Sequence, residues 1–190
     1  ALASPEARIS IPRFMRMGEA AIRQTGNPAL GLRMGALSRP VDAGLAGLAA
    51  ETAPTTGQAL VQLVRYSRLT SQNSRGHPEA SPDKREVSFY SIRPYNRFNY
   101  FVVDSVLAAW TQLARTLTGR YDVLERVRIE YPSIGLDELF ESWFRCPVEF
   151  GAARNSLTLK ASAWQQPSTQ AHAAMHEQLC RMCDRELEKI

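Results

Sequence analysis

The spacing of apolar residues divides the 190-residue chain into two parts. Up to about residue 70, apolar positions recur at helical intervals and helix-boundary residues follow one another closely. Four helices are therefore predicted in residues 11–70, and their glycines and alanines indicate close packing. The first helix is expected between Pro12 and Gly26, the second between Asn27-Pro28 and Leu37, and the third between Asp42 and Ala50. The fourth begins at Thr55, an N-cap with Gln58 three residues later.

The second part begins after a polar segment, residues 71–85, which predicts a loop or a frayed edge rather than core. Strand and helix patterns then alternate at 86–93, 97–118, 124–131 and 136–144. Pro147, the alternation of Val148 and Phe150 with Glu149, and Gly151 predict a strand, a turn and a second strand, arranged as a hairpin. The expected fold class is α+β: an N-terminal helical subdomain packed on a small, mostly antiparallel sheet with helices on one face.

A last helix, predicted for residues 168–189, carries two patterns on its surface. One is an apolar stripe suited to pairing with a second copy, formed by Met175, Leu179 and Met182. The other is a face of potential metal ligands at helical spacing, formed by His172, His176, Cys180 and Cys183. These ligand types also suit redox sensing, but four side chains along one helix span too far for a single ion, and the cysteines can equally widen a buried face.

Composition narrows the function classes. The net charge of +4 comes mostly from arginines spread through every segment, so no basic stripe predicts direct DNA binding by this chain. No apolar run approaches the ~20 residues of a membrane span. Three unpatterned cysteines fit a reducing compartment, so a cytoplasmic protein is expected. No catalytic constellation, cofactor motif or phosphate-binding loop is present, and no enzymatic activity is expected.

Arginine and tyrosine side chains concentrate at two helix boundaries, one at the end of the fourth helix and one before the long helix 97–118. If both groups meet at the seam between the two halves, they could hold a carboxylate or another anion. The alternative is that they are surface and cap residues. The candidate ligand-binding residues are Arg65, Tyr66, Arg68, Arg93, Tyr95, Asn99 and Tyr100.

Two segments resemble signatures of a known family. Residues 144–157, FRCPVEFGAARNSL, resemble a segment that closes the N-terminal effector-binding domain of AraC-type bacterial transcription regulators, in the branch that includes the ornithine-utilisation regulators. Residues 25–35, TGNPALGLRMG, resemble that branch's signature near its start. The resemblance covers roughly residues 3–160.

The resemblance implies an effector-binding domain at 1–167, with a helical half at 11–70 and an α/β half at 86–160, and a connector or dimerisation helix at 168–190. It implies a homodimer that senses an amino acid, a carboxylate or an acyl compound and signals to a DNA-binding helix-turn-helix domain outside this chain. Two alternatives stay open: a metal- or redox-responsive module built on the His/Cys face, and a ligand-free dimerisation domain.

Overall fold

The computed structural model describes residues 8–73 and 76–190. The first residues of the predicted effector-binding domain (1–7) and part of the predicted polar loop (74 and 75) lie outside the described residues. The helical half contains α1 to α5, with a short 3₁₀ helix, Pro40–Ala43, before α3. Their bounds are α1 Ile11–Thr25, α2 Leu30–Ala36, α3 Gly44–Glu51, α4 Thr56–Arg65 and α5 Ser67–Thr70.

Local boundary signals explain where these helices begin and end. Gly26 ends α1 in the left-handed conformation, with φ of 65°, and its N–H donates to the carbonyl of Ile22. The Thr55 hydroxyl accepts a hydrogen bond from the Gln58 N–H at 3.2 Å, so Thr55 caps α4 as predicted. Asn27 instead accepts from the Ala29 N–H in a tight turn, and α2 begins two residues later than the sequence indicated.

The second half contains the five strands and the longest helix. Its elements are β1 Glu79–Ser81, β2 Glu86–Phe89, α6 Tyr100–Thr118, β3 Leu124–Ile129, α7 Asp137–Phe144, β4 Val148–Phe150, β5 Asn155–Leu159, α8 Ala161–Trp164 and α9 Ala173–Leu187. The strands form one sheet in the order β1-β2-β5-β3-β4, and only the β3-β4 pair is parallel. This confirms the α+β class and the mostly antiparallel sheet.

The predicted hairpin is wrong in its pairing, although both strands exist. β4 and β5 lie on opposite sides of β3. All five residues of β5 are buried, whereas Glu149 at the centre of β4 is exposed, so β5 has the environment of a central strand and β4 that of an edge strand. The four residues between them are long enough to cross the roughly 10 Å spanned by two strand spacings.

Residues 71–85, predicted as a loop or a frayed edge, contain the short strand β1 at the edge of the sheet. This strand has three residues and pairs antiparallel with β2, with Glu79 opposite Ser88. Such a short, polar edge strand has no apolar alternation by which it could be recognised.

Helix α6 lies at the centre of the molecule and packs against the first two helices through glycines. A Cβ atom at Gly31 would lie 2.6 Å from the Phe101 carbonyl oxygen, and one at Gly35 would lie 2.3 Å from the Ala108 Cβ. A side chain at Gly18 would overlap the Phe101 ring. The close small-residue packing expected of the helical half is therefore present, and α6 is the surface on which it occurs.

The segment before α9 is tied to the start of α4 by backbone hydrogen bonds, from the Ser168 N–H to the Pro54 carbonyl and from the His172 N–H to the Thr52 carbonyl. α9 then packs on α3 and α5. Across residues 8–73 and 76–190, no helix has both the length and the apolar character needed to cross a membrane.

Candidate functional site

A cavity of about 590 Å³ lies between the helical half and α6. Its walls come from α1, α2, the Pro40–Ala43 turn, α3, α4, α5, the described residues before β1, the end of β2 with the segment that follows it, and one side of α6. On α6 the lining residues recur at helical spacing, from Val102 to Thr116, and form one continuous stripe. The volume falls within the usual range for small-molecule sites.

The walls of the cavity are mostly apolar, with aromatic rings on several sides. Phe89 and Trp110 meet edge to face, with ring centroids 6.3 Å apart, and fix each other's orientation. Phe14 is held against Phe101 at 5.4 Å. The main apolar contributors are Phe14, Met34, Leu63, Phe89, Val106 and Trp110.

Several hydroxyl groups border the cavity, and most of those with a described bond use it within their own helix. Ser105 donates to the Val102 carbonyl at 3.0 Å, and Ser38 donates to the Met34 carbonyl at 3.2 Å. Ser91 differs, because its side chain is buried and its Oγ has no hydrogen-bond partner among the described residues. A buried hydroxyl without a partner costs free energy that a bound polar group would recover.

Charged groups lie at the edge of the cavity. Arg39 and Asp42 are paired at 3.1 Å, and Asp42 also accepts from the Arg39 N–H at 2.8 Å. These hydrogen bonds from Arg39, to which the charge of its guanidinium adds, lower the pKa of Asp42. The described lining also includes His77, whose side chain is exposed. The described wall therefore places no unpaired buried charge in the cavity.

The first group of predicted ligand-binding residues lies away from this cavity. Arg65 forms an ion pair with Asp184 of α9 at 3.0 Å, and Tyr66 is fully buried with its hydroxyl donating to Asp184 at 3.1 Å. Burial, aided by hydrogen bonds to Cys180 and Asp184, raises the pKa of Tyr66. Arg68 is exposed. Arg65 and Tyr66 thus attach α9 to the helical half.

The second group forms a separate polar network at the end of the sheet. Arg93 and Tyr95 both bond to the carboxylate of Glu130. Asn155 donates to Tyr95 at 2.9 Å and to Glu130 at 3.0 Å, and it accepts from the Glu130 N–H at 2.9 Å. Asn155 therefore joins two strands and a loop.

The other two members of that group are structural in their contacts. Asn99 is buried and bonds to the carbonyls of Ile92 and Pro94 at 2.9 and 3.0 Å. Tyr100 stacks on Tyr131, with centroids 4.3 Å apart. The structure does not bring the two predicted groups together, and none of their seven residues is among the described residues that border the cavity.

Asp104 is a buried acid next to this network. Its Oδ1 accepts from the Tyr131 hydroxyl, and its Oδ2 has no partner among the described residues. Burial raises the pKa of Asp104 to about 7, although the Tyr131 hydrogen bond acts in the opposite direction. Sequence reasoning missed this group, because its helical spacing puts it next to apolar positions with nothing to mark it as buried.

The apolar stripe predicted on α9 is divided between the interior and the surface. Leu179 is 8% exposed and packs with Ala46, Ala49 and Tyr66, whereas Met175 is 46% exposed. Met182 is partly buried. Leu179 therefore contributes to a core within this chain, and Met175 is the member of the stripe that faces outward.

The four potential metal ligands on α9 face different environments. His172 caps the helix by accepting from the Met175 N–H at 3.2 Å, and a His176 ring nitrogen lies 2.9 Å from the Ala49 carbonyl oxygen. Cys180 is 3.7 Å from His176, while burial raises the pKa of the Cys183 thiol to about 11. The described parts of the chain contain no group of three or more His, Cys, Asp or Glu residues able to hold a metal ion.

Comparison with known proteins gives the family. The model of the arabinose-binding domain found at the N-terminus of AraC transcription regulators matches residues 1–168. The chain belongs to this family. The ornithine utilization regulator of Pseudomonas aeruginosa is 22% identical over 189 residues, covering all of this chain and 55% of that protein.

A solved structure supports the same fold for this arabinose-binding-family domain. The crystal structure of the transcriptional regulator CdpR from Pseudomonas aeruginosa superposes with a TM-score of 0.67 at 24% identity, over 92% of this chain and 57% of that one. The chain thus spans little more than half the length of these two regulators.

The cavity of this AraC-family domain escaped prediction because its lining has the composition of a core. Val106, Trp110 and Leu113 belong to the apolar pattern that predicts the long helix, and all three border the cavity, although Trp110 and Leu113 are also part of the core. The available signal was the width of the apolar surface of α6, which packs on the sheet through Val103 and Leu107 and still presents a second apolar side.

Proposed function

We propose that the cavity beside α6 is the effector site of this AraC-family domain. The observation that carries the proposal is an apolar cavity of about 590 Å³ bordered by a buried hydroxyl, Ser91, that lacks a partner among the described residues. A mostly apolar cavity with few directed polar groups is the usual form of a small-molecule site. Family membership supports a sensing role rather than catalysis.

The contacts of α3 support a route from the cavity to α9. Gly47 of α3 borders the cavity, and a Cβ at this position would lie 1.7 Å from the Pro40 carbonyl oxygen in the turn that also lines it. On the same helix, Ala46 and Ala49 pack against Leu179 and Cys183 of α9. An effector that binds one arrangement of the turn and α3 more tightly would therefore shift the position of α9.

In this proposal α9 passes the effector signal to a DNA-binding domain outside the chain, in the bacterial cytoplasm where a regulator meets its DNA. Contact with DNA is thus indirect for this domain. The effector can shift α9 between two positions only by the free energy that corresponds to the difference between its affinities for them.

The test is a thermal-shift screen of amino acids, organic acids and acyl compounds against three proteins: the wild type, Ala109→Trp and Ala161→Trp. Ala109 borders the cavity, whereas Ala161 is an exposed residue of α8 that does not. A ligand of the folded state raises the unfolding temperature in a concentration-dependent way. We expect stabilisation of the wild type and Ala161→Trp, and none of Ala109→Trp.

Equal stabilisation of all three proteins would place the ligand elsewhere, and no stabilisation by any compound would leave the domain without an effector. Val106→Trp fills the cavity from the next turn of α6 and serves if Ala109→Trp does not fold.

Dimerisation is a second proposed role, favoured by the exposure of Met175 on a helix that is otherwise docked. Met175→Asp should reduce the mass in solution if α9 pairs with a second copy. Leu179→Asp should instead lower the unfolding temperature, because it buries a charge inside the chain. A wild-type mass equal to that of one chain would exclude the homodimer for this domain.

A further inference from the structure

The chemistry of the cavity wall restricts what it can bind. We propose that the effector is an uncharged, largely apolar molecule with one hydrogen-bonding oxygen, such as a medium-chain alcohol or ester, and not an amino acid. This inference rests on the proposed function, since it concerns the occupant of the same cavity.

The described wall contains no buried, unpaired charge that could form an ion pair with a charged ligand. Arg39 and Asp42 neutralise each other at the edge, with 73% and 48% of their side chains exposed. His77 is exposed as well. A ligand carboxylate or ammonium inside the cavity would lose its hydration without gaining a buried partner, which is strongly unfavourable.

The described wall of the cavity is mostly apolar and partly aromatic. Apolar side chains approach the cavity from α1, α2, α4 and α6, and aromatic rings of Phe14, Phe89 and Trp110 supply flat surfaces. Burying an apolar chain against them is favourable because it removes apolar surface from water. A short, doubly charged amino acid would leave most of this surface uncovered.

Ser91 defines where the oxygen of the ligand would bind. Ser38 and Ser105 already donate to backbone carbonyls of their own helices. The Ser91 Oγ is buried and unpaired among the described residues, so it can donate to a ligand oxygen or accept from a ligand hydroxyl. Ser91 is thus the buried hydroxyl of the described lining that offers a partner to a polar atom of the ligand.

Ornithine, the compound in the name of one relative, makes the contrast concrete. It carries two ammonium groups and one carboxylate at neutral pH. The described wall offers no unpaired buried partner for any of the three charges. The described part of the wall therefore differs in chemistry from the wall that such an amino acid requires.

The test uses three probes at neutral pH: 1-decanol, decanoate and L-ornithine. The first two differ only at the head, and all are measured by calorimetric titration against the wild type and Ala109→Trp below the concentrations at which decanoate forms micelles. We expect 1-decanol to bind the wild type more tightly than decanoate by about tenfold or more, no binding of ornithine, and loss of decanol binding in Ala109→Trp.

Two serine variants test the oxygen site. Ser91→Ala should weaken 1-decanol binding by about threefold to tenfold without lowering protein stability, since the hydroxyl it removes is unpaired. Ser105→Ala is the matched control on the same wall and should leave decanol binding unchanged. Equal effects of the two substitutions would overturn the assignment of Ser91.

The inference and the proposed function fail in different ways. Tighter binding of decanoate than of 1-decanol, or ornithine binding that disappears in Ala109→Trp, would overturn the uncharged class while supporting the cavity as the effector site. Binding of 1-decanol that persists unchanged in Ala109→Trp would overturn both for this ligand.

Discussion

Two regions around α6 contain aromatic residues in similar numbers and use them in opposite ways. Beside the start of the helix, Tyr95, Tyr100 and Tyr131 form a filled cluster, tied by hydrogen bonds to Glu130 and Asp104. Along another side of the helix, Phe89 and Trp110 border a cavity of about 590 Å³. The tyrosine cluster joins the sheet to α6, while the cavity leaves space between the helical half and α6.

The two regions differ in what their polar side chains contact. Some of the predicted ligand-binding residues lie in or beside the tyrosine cluster, where Arg93, Tyr95 and Asn99 form hydrogen bonds with protein partners. Several polar groups border the cavity, and the buried hydroxyl of Ser91 has no protein partner in the described chain. An unpaired group beside empty space is the more informative feature.

The strongest way to break the tyrosine cluster is Asn155→Ala. Asn155 is fully buried, and its loss leaves the Glu130 N–H and the Tyr95 hydroxyl without this partner. We expect the free energy of unfolding to fall by about 3 kcal/mol in chemical denaturation. Ser156→Ala is the control in the next position of β5, because the Ser156 Oγ is buried without a described partner and its removal should cost little. Similar losses for the two variants would contradict a bonding role for Asn155.

A pH titration of stability sharpens the comparison at Asp104. Its pKa is about 7 in the folded protein and near 3.8 when exposed, so between these values the folded state holds a proton that the unfolded state has lost. Stability from this group is present below about pH 4 and declines as pH rises to about 7. Relative to the wild type, Asp104→Asn should gain stability on the order of 3 kcal/mol between pH 4 and 8.

Asp122→Asn provides a control of opposite sign for that titration. Hydrogen bonds from Lys160 and Arg120 lower the pKa of Asp122, so its contribution is present at neutral pH and is lost on acidification. Parallel curves for the wild type and Asp104→Asn from pH 4 to 8 would show that Asp104 titrates normally.

The smallest effect on folding is expected in the cavity. Ala109→Trp adds a large side chain where space exists, so the free energy of unfolding should change by less than about 1 kcal/mol. Thermal and chemical denaturation of the ligand-free protein measure this directly. A loss of 3 kcal/mol or more, comparable to that of Asn155→Ala, would indicate that the wall is as closely packed as the tyrosine cluster.

Much of the fold followed from local sequence signals. Gly26 ends α1 and Thr55 caps α4 as expected. The apolar spacing of α6 and β3 located both elements to within a few residues. Pairing was harder, because the local alternation in β4 and β5 is the same whether they face each other or flank β3. The order of strands depends on the burial of whole faces, which the spacing within one strand does not encode.

The candidate site, the cavity beside α6, was less predictable than the fold, because a cavity depends on what surrounds a residue and not on its position in the helix. A residue such as Val106 has the same helical position whether its neighbour is a side chain or empty space. The unpaired state of Ser91 depends equally on which groups surround it in three dimensions. Sequence patterns identify the apolar side of α6 but do not reveal that the surrounding helices leave it incompletely covered.

The central claim is that the cavity binds the effector and that α3 passes this event to α9. Hydrogen exchange measured by mass spectrometry, with and without the most stabilising compound of the screen, tests both parts. The account predicts slower exchange in residues 38–47 and 89–92, which border the cavity, and altered exchange in α9 at 173–187. Slower exchange confined to residues 93–100 and 65–68, with the cavity segments and α9 unchanged, would contradict it.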